Sequence, residues 1–102
     1  MPASELDRLI HEPARLRLVT LLYVVDEADF AYVADRTGMT AGNISSHMAR
    51  LERAGYVEVD KSFVDRRPRT VYRLSAAGRT AVERYRREIG ALLSEMDDAG
   101  SR

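Results

Sequence analysis

The chain has no cysteine, no tryptophan, only three prolines in 102 residues, and no net charge, because sixteen basic side chains meet sixteen acidic ones. Without cysteine there can be no disulfide and no thiolate metal site. His11 and His47 are the two histidines, and neither has a second ligand at the spacing a metal site needs. No apolar run approaches the roughly 20 residues required to cross a bilayer. The first ten residues carry Glu5 and Asp7 rather than the basic-then-apolar plan of a signal peptide. Ser45, Ser46 and Ser75 suggest no nucleophile–base pair. These absences lead us to expect a cytoplasmic protein with no cofactor, no membrane contact and no enzymatic activity.

What is present is unevenly distributed. Residues 1–35 hold three basic and seven acidic groups, residues 36–73 hold eight and four, and residues 74–102 hold five of each. A neutral chain with a basic middle third carries its positive field in one region. The length is that of one domain. Leu6, Leu9 and Ile10 have helical spacing behind a candidate cap at Ser4. Pro13 opens a second helix, where its missing N–H is harmless. That helix is apolar almost all round, from Leu16 to Val25, so it is expected to be surrounded by protein. Asp26-Glu27-Ala28-Asp29 interrupts the pattern; it spells a helicase motif, but no phosphate-binding loop accompanies it. A short helix follows from about Phe30 to Thr37, closed by Gly38. Thr40 caps a helix over 40–54 whose Ile44, Met48 and Leu51 share one face. Two strand-like runs, 56–64 and 70–74, flank Asp65-Arg66-Arg67-Pro68-Arg69, which reads as a hairpin tip. Ser75 then caps a long helix to about Asp98.

The expected fold is mainly α with a small β-hairpin, an α+β winged helix-turn-helix. Its core spans about 12–75 and a C-terminal helix spans about 75–98. Helix 40–54 matters most for function. With Ile44, Met48 and Leu51 turned inward, Gly42, Ser46, Ala49 and Arg53 point outward, flanked by Ser45 and Arg50. A B-form major groove admits one α-helix whose outer side chains then meet base edges. Small residues let the helix sink in, while Arg50 and Arg53 reach phosphate or guanine. The first turn, Thr40 to Asn43 with Ala41, offers free N–H groups to a phosphate. A merely solvated helix face favours Glu and Lys, and this one does not. Arg66, Arg67 and Arg69 form a wing (64–70) suited to the backbone or to a narrow minor groove. Asn43-Ile44-Ser45 is a formal glycosylation sequon, but it lies inside the helix and is inert.

The order of elements, the segment from Thr37 to Val57, the wing Asp65–Thr70 and the run Tyr72–Arg79 together resemble the winged helix-turn-helix regulators of the MarR and ArsR broad class. The likeness extends over about Leu6 to Arg79. It implies sequence-specific binding of double-stranded DNA by a homodimer. It also implicates Thr40, Asn43, Ser45, Ser46, His47 and Arg50 in the groove. The longer helical additions that carry effector pockets in larger MarR proteins are missing, and the sequence names no effector.

The last helix would span roughly 24 residues, about 36 Å at the α-helical rise, more than a core this small can cover. Val82, Tyr85, Ile89, Leu92 and Met96 keep the alternating spacing of a coiled-coil seam, with Leu93 beside them. That stripe calls for a partner helix, and Leu6, Leu9 and Ile10 are candidates for the same interface. Two other readings remain open at this point: a winged helix used as a protein-interaction module, and an architectural DNA binder without sequence preference.

Overall fold

A computed structural model describes residues 6–100. Four helices and three strands follow in the order α1 (Pro13–Val25), β1 (Glu27–Asp29), α2 (Phe30–Thr37), α3 (Ala41–Arg53), β2 (Val57–Val64), β3 (Arg67–Leu74) and α4 (Ala76–Gly100). The strands form one antiparallel sheet in the order β1-β3-β2. The architecture is the expected winged helix. Its core joins Leu18, Val19 and Leu22 of α1 to Val33 of α2 and to Ile44, Met48 and Leu51 of α3. Val57, Tyr72 and Leu74 of the sheet and Ala81 and Tyr85 of α4 close it. Among the described residues no helix is long and apolar enough to cross a membrane.

Local chemistry sets the helix ends. Thr40 accepts the N–H of Asn43 at 3.2 Å, which starts α3, and Asp29 accepts that of Tyr32 at 2.8 Å, which starts α2. Gly38 has φ 70° and returns its N–H to Ala34 at 2.9 Å. Glycine enters that left-handed conformation without the steric penalty of a Cβ. Ser75 Oγ accepts the N–H of Gly78 at 2.9 Å at the head of α4.

Four expectations need correction. Residues 6–10 are not a helix but a turn: the Asp7 carboxylate accepts the N–H groups of Leu9 at 2.9 Å and Ile10 at 3.2 Å, a local alternative to helical bonding. The cap assigned to Ser4 lies outside the described residues. Residues 27–29, read as an interruption, are strand β1, which pairs with residues 71–73 of β3. Three residues are too few to display a period, and their partner lies more than forty positions away. The hairpin is also tighter than expected, since β3 begins at Arg67 and the turn is only Asp65–Arg66. Finally, α1 is not enclosed all round: Val24 is 73% exposed. Together with Leu16 and Tyr23 it lines an apolar groove whose other wall is Val82 and Ile89 of α4.

Candidate nucleic-acid interface

The shape of the candidate surface follows from how α3 is held. Ile44 and Leu51 have no exposed area and Met48 has 1%, so the whole apolar stripe of the helix is clamped by α1, α2 and the sheet. At roughly 100° per residue the opposite side must then face out. Ala41, Gly42, Asn43, Ser45, Ser46, Arg50 and Arg53 are exposed, and Ala49 is half-buried. Thr40 is exposed as well, with its hydroxyl committed to the cap. The face is therefore slim along its first two turns and cationic in its last.

His47 sits at the margin of this face rather than on it. Arg15, only 7% exposed, places Nη1 3.2 Å from His47 Nδ1 and donates Nε–H to the Leu9 carbonyl at 2.6 Å. Arginine can only donate, so Nδ1 accepts. The ring proton of neutral His47 then rests on Nε2, which lies 3.9 Å from a Glu12 carboxylate oxygen. Glu12 in turn caps α1 by accepting the N–H groups of Ala14 and Arg15. Desolvation raises the Glu12 pKa. The two backbone N–H groups, with Arg15 and His47 beside the carboxylate, outweigh it, so the carboxyl lies below its usual range. The network locks the outer helix to the start of α1 through side chains 32 positions apart. Nothing in the sequence marked Arg15 for this task.

The wing is the long arm of β2 and β3. Residues 60–69 are all exposed. The register places Lys61, Phe63, Pro68 and Thr70 on one side of the hairpin, with Ser62, Val64, Arg67 and Arg69 on the other. Arg66 occupies the tip. Arg69 approaches Asp29 at 3.7 Å, while Arg73 bridges Glu27 at 3.3 Å and Asp60 at 4.0 Å across the sheet. A shallow cleft separates wing from helix, bordered by Ser45, Ala49 and Glu52 on α3 and by Val59, Lys61, Thr70 and Tyr72 on the sheet. Desolvation, with a smaller contribution from Glu52, raises the Tyr72 pKa. Lys61 lines the cleft as an additional cation that sequence reading passed over; its signal was only its place in the alternation.

The residues expected at a dimer interface divide in two. Leu6 is 5% exposed, Ile10 not at all and Tyr85 6%, and all three belong to the protomer's own core. Their expected share in an interface is corrected accordingly, since a covered side chain has no area left for a partner. Leu9, Val82 and Ile89 are half-buried, whereas Leu92, Leu93 and Met96 are exposed at 37%, 54% and 70%.

Comparison with known proteins gives the surface its context. A family model described as winged helix DNA-binding domain matches residues 14–93. An uncharacterised protein of Methanocaldococcus jannaschii is 30% identical over 90 residues, covering 88% of this chain and 98% of that one. A solved structure of a transcriptional regulator homologue from Pyrococcus horikoshii is also 30% identical. It superposes with a TM-score of 0.84 over 89% of this chain and 90% of its own. A putative MarR-like transcription regulator from Bacillus cereus shares the fold at a TM-score of 0.69 and 20% identity, over 90% of this chain and 68% of its own.

Proposed function

We propose that this chain, which belongs to the winged helix DNA-binding domain family and is a DNA-binding transcription regulator, reads a specific duplex sequence as a homodimer. One observation carries the reading: α3 has its aliphatic stripe fully covered and its slim, cationic side bare next to an arginine-bearing wing. In this reading α3 enters the major groove. Asn43, Ser45, Ser46 and Arg50 meet base edges, while Arg53 and the first-turn N–H groups of Ala41 and Gly42 hold phosphates. His47 flanks the groove, Thr40 acts chiefly as the cap, and Arg66, Arg67 and Arg69 lie along the backbone or minor groove.

The dimer reading is supported by Leu92, Leu93 and Met96, which continue the stripe of α4 beyond the domain. The apolar groove between α1 and α4 lies on the same helix. A two-fold pair would present its recognition helices to successive major grooves, about 34 Å apart. No effector is proposed.

The test is affinity against salt on duplexes selected from a random pool and on random duplexes. Specific binding by Arg50→Ala should fall by about 1–3 kcal/mol if Arg50 reads a base. Equal affinity for every sequence would replace the reading by an architectural one. Failure to bind any duplex would leave a protein-interaction module.

A further inference from the structure

The wing carries more than cations. Phe63 is 75% exposed and Val64 49%, on a hairpin arm that has already left the core. Because β2 is an edge strand of the sheet, a bare apolar side chain there invites pairing with other chains.

Its geometry is well defined. Val64 and Arg67 close a two-residue turn, so they form a hydrogen-bonded pair, and Phe63 and Pro68 next to them form a non-hydrogen-bonded one. In pairs of that kind the side chains stand closest together. Pro68, lacking an N–H, therefore loses no bond to β2. On its other side β1 pairs only with residues 71–73, so no neighbour is deprived either. Phe63 and Pro68 thus make one apolar blade on the side of the hairpin that bears Val59, Lys61, Thr70 and Tyr72, the side that borders the cleft beside α3.

The turn beyond the blade is itself uneconomical. Asp65 has φ 52° and Arg66 φ 66°. Two consecutive left-handed residues in a hairpin are ordinarily filled by Asn-Gly or Asp-Gly. An arginine stands here where glycine would fold more easily, and so a charge is kept at the tip at some loss of stability.

An apolar blade flanked by Lys61, Arg66 and Arg67 matches a double-stranded DNA minor groove. That groove is about 6 Å wide, bounded by phosphates, and able to admit a Phe or Pro wedge against its base steps. We propose that Phe63, backed by Pro68, is such a wedge: the wing enters the minor groove with this pair and bends the duplex, while Arg66 and Arg67 hold the flanking phosphates. The inference rests on the DNA-binding reading above and deepens it.

The test compares Phe63→Ala, Phe63→Leu and the double variant Arg66→Ala/Arg67→Ala with the wild type on one selected duplex. Affinity is measured across salt concentrations and bending by energy transfer between labelled duplex ends. Phe63→Ala should weaken binding about ten- to a hundredfold, the worth of covering much of a phenyl ring. It should keep the wild-type salt slope, because no counterion is released by an apolar contact, and it should lose the bend. Phe63→Leu should keep most of the bend. The double arginine variant should flatten the slope. Since Phe63 is exposed, thermal unfolding of Phe63→Ala should match that of the wild type. If the wild type binds the duplex and Phe63→Ala binds and bends it equally well, the wedge is refuted while DNA binding stands. If Phe63→Ala instead abolishes self-association in sedimentation, a second copy covers the residue and the proposal falls.

Discussion

Helices α3 and α4 are both amphipathic, yet their apolar stripes end differently. In α3 every member of the stripe is covered, from Ile44 through Met48 to Leu51, and what remains outside is polar or small, with Arg50 and Arg53 against the single carboxylate of Glu52. In α4 the stripe begins covered at Ala81 and Tyr85 and then runs into the open, with exposure rising from 37% at Leu92 to 70% at Met96. An apolar stripe fully covered at home leaves a helix free to offer polar chemistry, as nucleic acid requires. One that outruns its domain offers apolar area, as another protein surface requires. The same periodicity therefore points to two kinds of partner, and the length of the helix relative to its domain tells them apart.

Four experiments bear on this contrast. The largest effect should come from Ile44→Ala, which empties a fully covered position; urea unfolding should register a loss of about 2–5 kcal/mol. A loss below about 1 kcal/mol would mean that α3 is not clamped as described. Gly78→Ala comes next. A Cβ at Gly78 would collide with the backbone carbonyl of Tyr56, and rigid backbone cannot yield as a side-chain tip can. A loss of about 1–3 kcal/mol is expected, despite the better helix propensity of alanine. A gain in stability would show that α4 is seated less closely on the domain.

Glu12→Ala should destabilise by about 1 kcal/mol near neutral pH, the usual worth of an N-cap. Its pH dependence is the sharper measurement. The folded-state carboxyl lies below the ordinary value of 4.5, so the ionised form is favoured by folding. That contribution is fully present above 4.5 and is lost as pH falls through the lower folded value. The gap between wild type and variant should close on acidification; a gap independent of pH would assign the effect to packing alone. The smallest effect on the fold belongs to Leu92→Asp combined with Met96→Asp. Helical content by circular dichroism should be unchanged while sedimentation equilibrium shows self-association gone. A wild type that is monomeric at micromolar concentration would remove the contrast between the two helices altogether.

Much of the fold was legible because its signals are local. Gly38 and Thr40 bracket the turn before α3, and the spacing of Ile44, Met48 and Leu51 indicates both helix and orientation. Strand β1 was illegible for the opposite reason. Glu27–Asp29 is a strand only because residues 71–73 lie beside it, and three residues carry no period of their own. The site divides along the same line. The bare face of α3 could be read from the stripe opposite it, but the engagement of His47 by Arg15 joins positions 32 apart. The wing arginines were visible as a cluster, whereas the placing of Arg67 and Arg69 on one side of the hairpin, with Arg66 at its tip, depends on a two-residue turn that composition does not specify.

By itself the sequence determined where α1 to α4 lie, which side of α3 is apolar, and where charge of one sign collects, since those properties follow from residue spacing within a few turns. Only the tertiary structure decided how much of each apolar side remains exposed. That is set by neighbours distant in the chain: it covers Leu6, Ile10 and Tyr85 within the protomer and leaves Phe63, Leu93 and Met96 bare. Burial is a property of the assembled surfaces, and spacing along the chain cannot report it.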